Sequence, residues 1–180
     1  SITTNDQSKL QINNSANVSR SDAGTSTLGS LTYSQSGNSG SLSLSVSNMG
    51  LTIVSAMQVS GASLSHSNGI LTFQSAPSLS NSSSLSVSNG ELVLANGGTV
   101  NGSSLQLTAS KFKPAGSVSV TNGGTFTLNE TSSVVLQGDT TLNQAGSVSW
   151  PELDLGGKKL TLGSTVGSLT IPKALNIANG

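Results

Sequence analysis

The stretches LSVSNMGLTI at 44–53, LSHSNGILTF at 64–73 and LSVSNGELVL at 85–94 are nearly one decapeptide, starting 20 and then 21 residues apart. Inside each, apolar and polar residues alternate for three or four positions and a polar turn follows. The same short pattern returns as LTI, LVL, LQL, FTL, VVL, LDL, LTL and LNI. A period of two sends the outer pair to one face and the middle residue to the other. Linkers such as SN, NGG and NGSS are rich in residues that accept turns and positive φ. Strands this short are not stable as isolated hairpins and must be stacked on something.

Aligned at a period of 20–22, the apolar residues fall into three columns. The first runs Leu44, Leu64, Leu85, Leu105, Phe126, Val148, Leu169. The second runs Leu10, Leu31, Leu51, Leu71, Leu92, Phe112, Val134, Leu153, Leu175. The third runs Met57, Leu79, Val100, Val120, Leu142, Leu162. A period of 20–50 residues denotes a solenoid or array. Leucine-rich repeats share the period but need a fixed Leu/Asn consensus, which is missing. Three strands and three turns per period describe one coil of a single-stranded parallel β-helix. The predicted fold is therefore all-β, a β-solenoid of about eight coils, with coils roughly 4.8 Å apart. Residues 24–180 are assigned to the solenoid, and the more irregular 1–23 to an N-terminal cap or exchanged segment with Ile2, Leu10, Ile12 and Val18 to bury.

Composition narrows the function. Seven basic and seven acidic residues balance, so no basic surplus points to nucleic acid. Only 8% of residues are charged and 3% aromatic, while roughly a third are Ser or Thr. Cysteine is absent, which excludes disulfides and thiolate metal sites. No run of 18 apolar residues exists, so no membrane insertion by a helix is expected. The chain begins with Ser, and we read it as a processed or excised form.

One face of the predicted rod is almost wholly hydroxylated. Around the first column stand Ser43, Ser45, Ser47; Ser63, Ser65, Ser67; Ser84, Ser86, Ser88; Ser104 and Thr108 about Gln106; Thr125, Thr127; Ser147, Ser149; and Ser168, Thr170. In a flat parallel sheet these form a grid that could bind a polysaccharide or ice, or simply a neutral solvated surface. Ice-binding faces of this kind favour Thr, and this one is mostly Ser. His66 takes the inward place of Val46, Val87, Leu107 and Leu128. It is expected to be a core histidine bonded to a hydroxyl or backbone group. Trp150 and Phe126 are expected to fill the core.

Catalysis finds little footing. The carboxylates Asp6, Asp22, Glu91, Glu130, Asp139, Glu152 and Asp154 are scattered, and no basic residue shares the column of Glu152 and Asp154 in adjacent coils. One buried His supports no Ser/His/Asp triad. There is no phosphate-loop spacing and no repeated turn Asp for calcium. No cofactor or metal is expected. Sequons at Asn13, Asn17, Asn81, Asn101 and Asn129 are as many as chance supplies at this Asn, Ser and Thr content.

The last stretch, LTIPKALNIANG, is an ordinary coil with Leu169, Ile171, Leu175 and Ile177 inward. Open solenoid edges recruit further strands unless capped. The expected partner at this edge is a second copy, stacking head to tail. LSVSNGELVLANGGTVNGSSLQL and VSVTNGGTFTLNETSSVVLQGDTTLNQAGSVSW resemble the β-helical passenger regions of bacterial autotransporter and two-partner-secretion surface proteins. The resemblance spans about 24–180 and implies extracellular or cell-surface display, adhesion to glycans or cell surfaces, or scaffolding. The chain is short for that family. The expected function is an extracellular, non-enzymatic structural solenoid polymerising end to end into a filament or matrix; the alternatives are a fragment of a larger adhesin and a polysaccharide- or ice-binding module.

Overall fold

The computed structural model describes residues 9–13, 16–20, 24–28, 30–34, 42–47, 49–54 and 57–177, with side chains from 50 onward. Among them are 24 strands and no helix, and every strand pairing is parallel. The strands fall in threes along the chain, and each member of a trio joins a different face. Two faces carry eight strands each. The third carries six, from Ala16–Arg20 to Thr125–Leu128, followed by a separate pair, Gly146–Ser149 and Val166–Thr170. The chain is thus a three-sided parallel β-solenoid, as its periodicity predicts.

The alternation of the sequence becomes an alternation of burial. Ser84–Ser88 buries Leu85 and Val87, and Glu91–Leu94 buries Leu92 and Leu94. Leu85, Val87, Leu92, Leu105, Leu107, Phe112, Val134, Leu142 and Leu153 are at most 3% exposed, so the interior is dry and continuous. Parallel register stacks like residues: Leu44, Leu64, Leu85, Leu105 and Phe126 are successive partners, and Val148 pairs with Leu169. Phe112, Phe126 and Trp150 form a buried aromatic run, with ring centroids 4.9 Å and 6.4 Å apart in edge-to-face geometry.

The other two columns need correcting. From Leu51 to Leu175 the second holds, but Leu10 and Leu31 pair with each other on a different face, and Leu31 continues to Met57. The step from Leu31 to Met57 is 26 residues, so a fixed period of 20 carries the alignment onto the wrong strand. The third column merges two inward rows. Val59, Leu79, Val100 and Val120 form one; Val118, Leu142 and Leu162 form another. Within 1–23, Lys9–Asn13 and Ala16–Arg20 pair in parallel with Ser30–Ser34 and Leu42–Ser47. Ile2 lies outside the described residues, and the side chains of Leu10, Ile12 and Val18 are likewise not described.

Corners are tight, and asparagine and glycine make them. Asn68, Asn89 and Asn122 have φ near +50°, a conformation Asn tolerates better than most residues. Gly97 has φ +77°, and a Cβ there would meet the Ser117 carbonyl oxygen at 1.9 Å. Only glycine fits that approach.

Candidate functional site

The hydroxyl face is built by the third set of strands. Ser43, Ser63, Ser84, Ser104 and Thr125 are partners in one row; Ser45, Ser65, Ser86, Gln106 and Thr127 are partners in the next. Ser63, Ser65, Thr125 and Thr127 are exposed, and Ser84, Ser86 and Ser104 half-buried. The side chains of Ser43 and Ser45 are not described, so their place is one of register alone. Ser84 Oγ donates to Ser63 Oγ at 2.9 Å, so part of the grid spends its donors on itself along the rod axis. Every outward side chain from Ser63 to Thr127 on this face is uncharged.

The face is not continuous, however. Ser147 and Ser149 pair with Ser168 and Thr170, all exposed, with Ser168 Oγ donating to Ser147 Oγ at 3.1 Å, but this pair does not join Thr125–Leu128. The coils are uneven here. Val118 and Leu142 are partners 24 residues apart, whereas Val134 and Leu153 are partners only 19 apart. A register shift at Gly146/Ser147 marks the same place. The predicted grid is therefore two patches.

The most ordered hydroxyls lie elsewhere. Ser83, Ser103, Ser110, Ser132 and Thr140 are buried at the corners. The N–H of Ser83 donates to Ser103 Oγ at 3.2 Å, and Ser83 Oγ donates to the Val59 carbonyl at 3.0 Å. In a second column Gly90 N–H donates to Ser110 Oγ at 3.3 Å and Ser110 N–H to Ser132 Oγ at 3.2 Å. These serines satisfy corner backbone groups that the ladders leave over. Sequence reasoning missed them, although the doublets Ser83–Ser84, Ser103–Ser104 and Ser132–Ser133 carry the signal: the first Ser turns in, the second out.

His66 is inward and 2% exposed, stacked between Val46 and Val87 in register. Burial lowers its pKa, while the Gly69 backbone nearby favours the charged form. The expected backbone neighbour is the Gly69 main chain, but among the described residues neither ring nitrogen makes a hydrogen bond of good geometry. Its register partner Val87 is buried and aliphatic and offers no acceptor.

Among the described residues the acidic side chains stay apart; Asp6 and Asp22 lie outside them. Glu152 faces Ala174, and Asp154 faces Val135 and Asn176, with Asp154 Oδ1 accepting the Gly156 N–H at 2.9 Å. Glu91 is different, and sequence reasoning did not pair it: it is the register partner of Lys111 and lies 2.6 Å from Lys113 Nζ. Among the described residues no three His or acidic side chains gather as they would around a metal ion.

The last described coil carries exposed apolar side chains. Leu162, Leu175 and Ile177 are 42%, 51% and 65% exposed, and Leu169 and Ile171 half-buried. Their column neighbours Leu142, Leu153 and Val148 are at most 4% exposed. Fold and surface together define a β-solenoid with a neutral hydroxyl face and apolar side chains exposed on its last described coil. Comparisons with protein families, with curated proteins and with solved structures return no match.

Proposed function

We propose that this chain is a non-enzymatic, extracellular structural protein whose C-terminal coil docks on a further copy, building a cell-surface filament or matrix. The exposure of Leu162, Leu175 and Ile177 carries the reading, because one more coil in register would bury all three. Burial of each is worth about 1.5–3 kcal/mol, against the freedom lost on association. Head-to-tail contact between unlike surfaces gives an open filament rather than a closed ring. The low charge and the Ser, Thr, Asn and Gly content suit display outside the cell, and the likeness to autotransporter and two-partner-secretion passengers points the same way. The scattered carboxylates give no reason to assign catalysis.

Electron microscopy of the purified chain tests this. Filaments with an axial repeat near about 40 Å, eight coils at the strand spacing, are expected; single rods at all concentrations would refute it. A second reading, adhesion to a neutral polysaccharide, is favoured by the uncharged exposed hydroxyls of Ser63, Ser65, Thr125 and Thr127. Retention on a polysaccharide column without polymerisation would select it.

A further inference from the structure

Three sequons have described side chains, and the fold treats them differently. In Asn81–Ser82–Ser83 and Asn101–Gly102–Ser103 the third residue is a corner serine, 1% and 6% exposed. Ser83 Oγ is bonded to the Val59 carbonyl, and Ser103 Oγ donates to the Asn101 carbonyl at 3.1 Å. Asn81 Nδ2, the atom to be modified, is also engaged, donating to Ser60 Oγ at 2.7 Å, whereas Asn101 is held through Oδ1, which accepts from Asn122 Nδ2 at 2.7 Å. A transferase that must read the hydroxyl cannot reach either without opening the corner.

Asn129–Glu130–Thr131 is the exception. Asn129 and Thr131 are both exposed. Asn129 Oδ1 accepts three hydrogen bonds, from the Ala109 N–H at 2.9 Å, Thr131 Oγ1 at 3.1 Å and Ser132 Oγ at 2.8 Å. These donors fix the amide with its oxygen toward the rod. Its Nδ2 has no bond to any described residue. Three donors on one amide oxygen also stabilise the negative charge that gathers there as Nδ2 loses a proton.

We propose that Asn129 is an acceptor site for N-linked glycosylation on the folded protein, with a sugar activated as a glycosyl diphosphate as co-substrate. Nδ2 attacks the anomeric carbon; the new C–N bond forms as the bond to the diphosphate oxygen breaks. The Nδ2 proton passes to a base of the transferase, and no redox change occurs. A sugar on Nδ2 leaves all three bonds to Oδ1 in place, so the modification and the fold are compatible. The proposal does not depend on end-to-end assembly.

The test uses the full folded chain with UDP-glucose and an asparagine glucosyltransferase chosen because it modifies isolated peptides of all three sequons. Tandem mass spectrometry reads each site. One hexose is expected on Asn129, about tenfold or more in excess over Asn81 and Asn101, whose hydroxyls need local opening to be reached. Thr131→Ala abolishes it; Ser132→Ala lowers its rate in the folded chain and not in the peptide. Comparable labelling of Asn81 or Asn101, or an unlabelled Asn129, overturns the proposal.

Discussion

Ser110 donates its backbone N–H to Ser132 Oγ one coil away, and Ser110 Oγ in turn accepts the N–H of Gly90 at 3.3 Å. The column is a relay in which each hydroxyl serves the coil beside it. Ser110→Ala strands the Gly90 N–H and removes the hydroxyl that donates toward the Thr108 carbonyl at 2.7 Å and the Val87 carbonyl at 3.2 Å. A loss of about 1–3 kcal/mol is expected in urea unfolding. Ser86→Ala, on the outer face, should stay within about 0.5 kcal/mol.

His66 makes stability depend on pH. Its folded pKa lies below the unfolded value near 6.5, so the unfolded chain binds the proton more readily. Its contribution is therefore whole above about pH 6.5 and falls as the pH drops toward the folded pKa. Unfolding midpoints at neutral and mildly acid pH check this. His66→Val should narrow the difference between them, and an unchanged difference contradicts the assignment.

Gly97→Ala introduces a Cβ at 1.9 Å from the Ser117 carbonyl oxygen on a residue with φ +77°. More than about 2 kcal/mol of destabilisation is expected. Gly123→Ala has the same sign of φ but open space around it, and should cost only about 1 kcal/mol. The difference between the two, measured by denaturant unfolding, isolates the contact from the strain.

Trp150 is 1% exposed and stacks edge-on against Phe126, with no partner for its indole N–H among the described residues. Phe126→Ala should cost about 3–5 kcal/mol and shift Trp150 emission to the red as water reaches the vacated space.

The solenoid was legible because alternation and period act together: LSVS at 85–88 fixes an inward pair, and the return of that pair near 20 residues fixes the stacking. Register failed where the period varies. Nothing in the residues 35–41 announces that Leu31 meets Met57 after 26 residues rather than Leu51 after 20. The hydroxyl face was legible as a face, but Ser83 is marked off from Ser84 only by standing first in a doublet, and Ser110, which stands in none, is not distinguishable from Ser86 by residue type. Which serine turns inward depends on where the corner falls, and that is set by backbone dihedrals. His66 was placed inward correctly, yet the poor geometry it offers the Gly69 backbone is a tertiary fact that the sequence does not carry.

Sedimentation velocity across a concentration series, run on the chain and on its Leu175→Lys/Ile177→Lys variant, tests end-on assembly most directly. The unaltered chain should grow stepwise into larger species, while the variant keeps the same β-sheet circular dichroism and stays a single small rod, its association weakened by about tenfold or more per residue. An unaltered chain that remains one species throughout, or a variant that assembles equally well, would contradict the account.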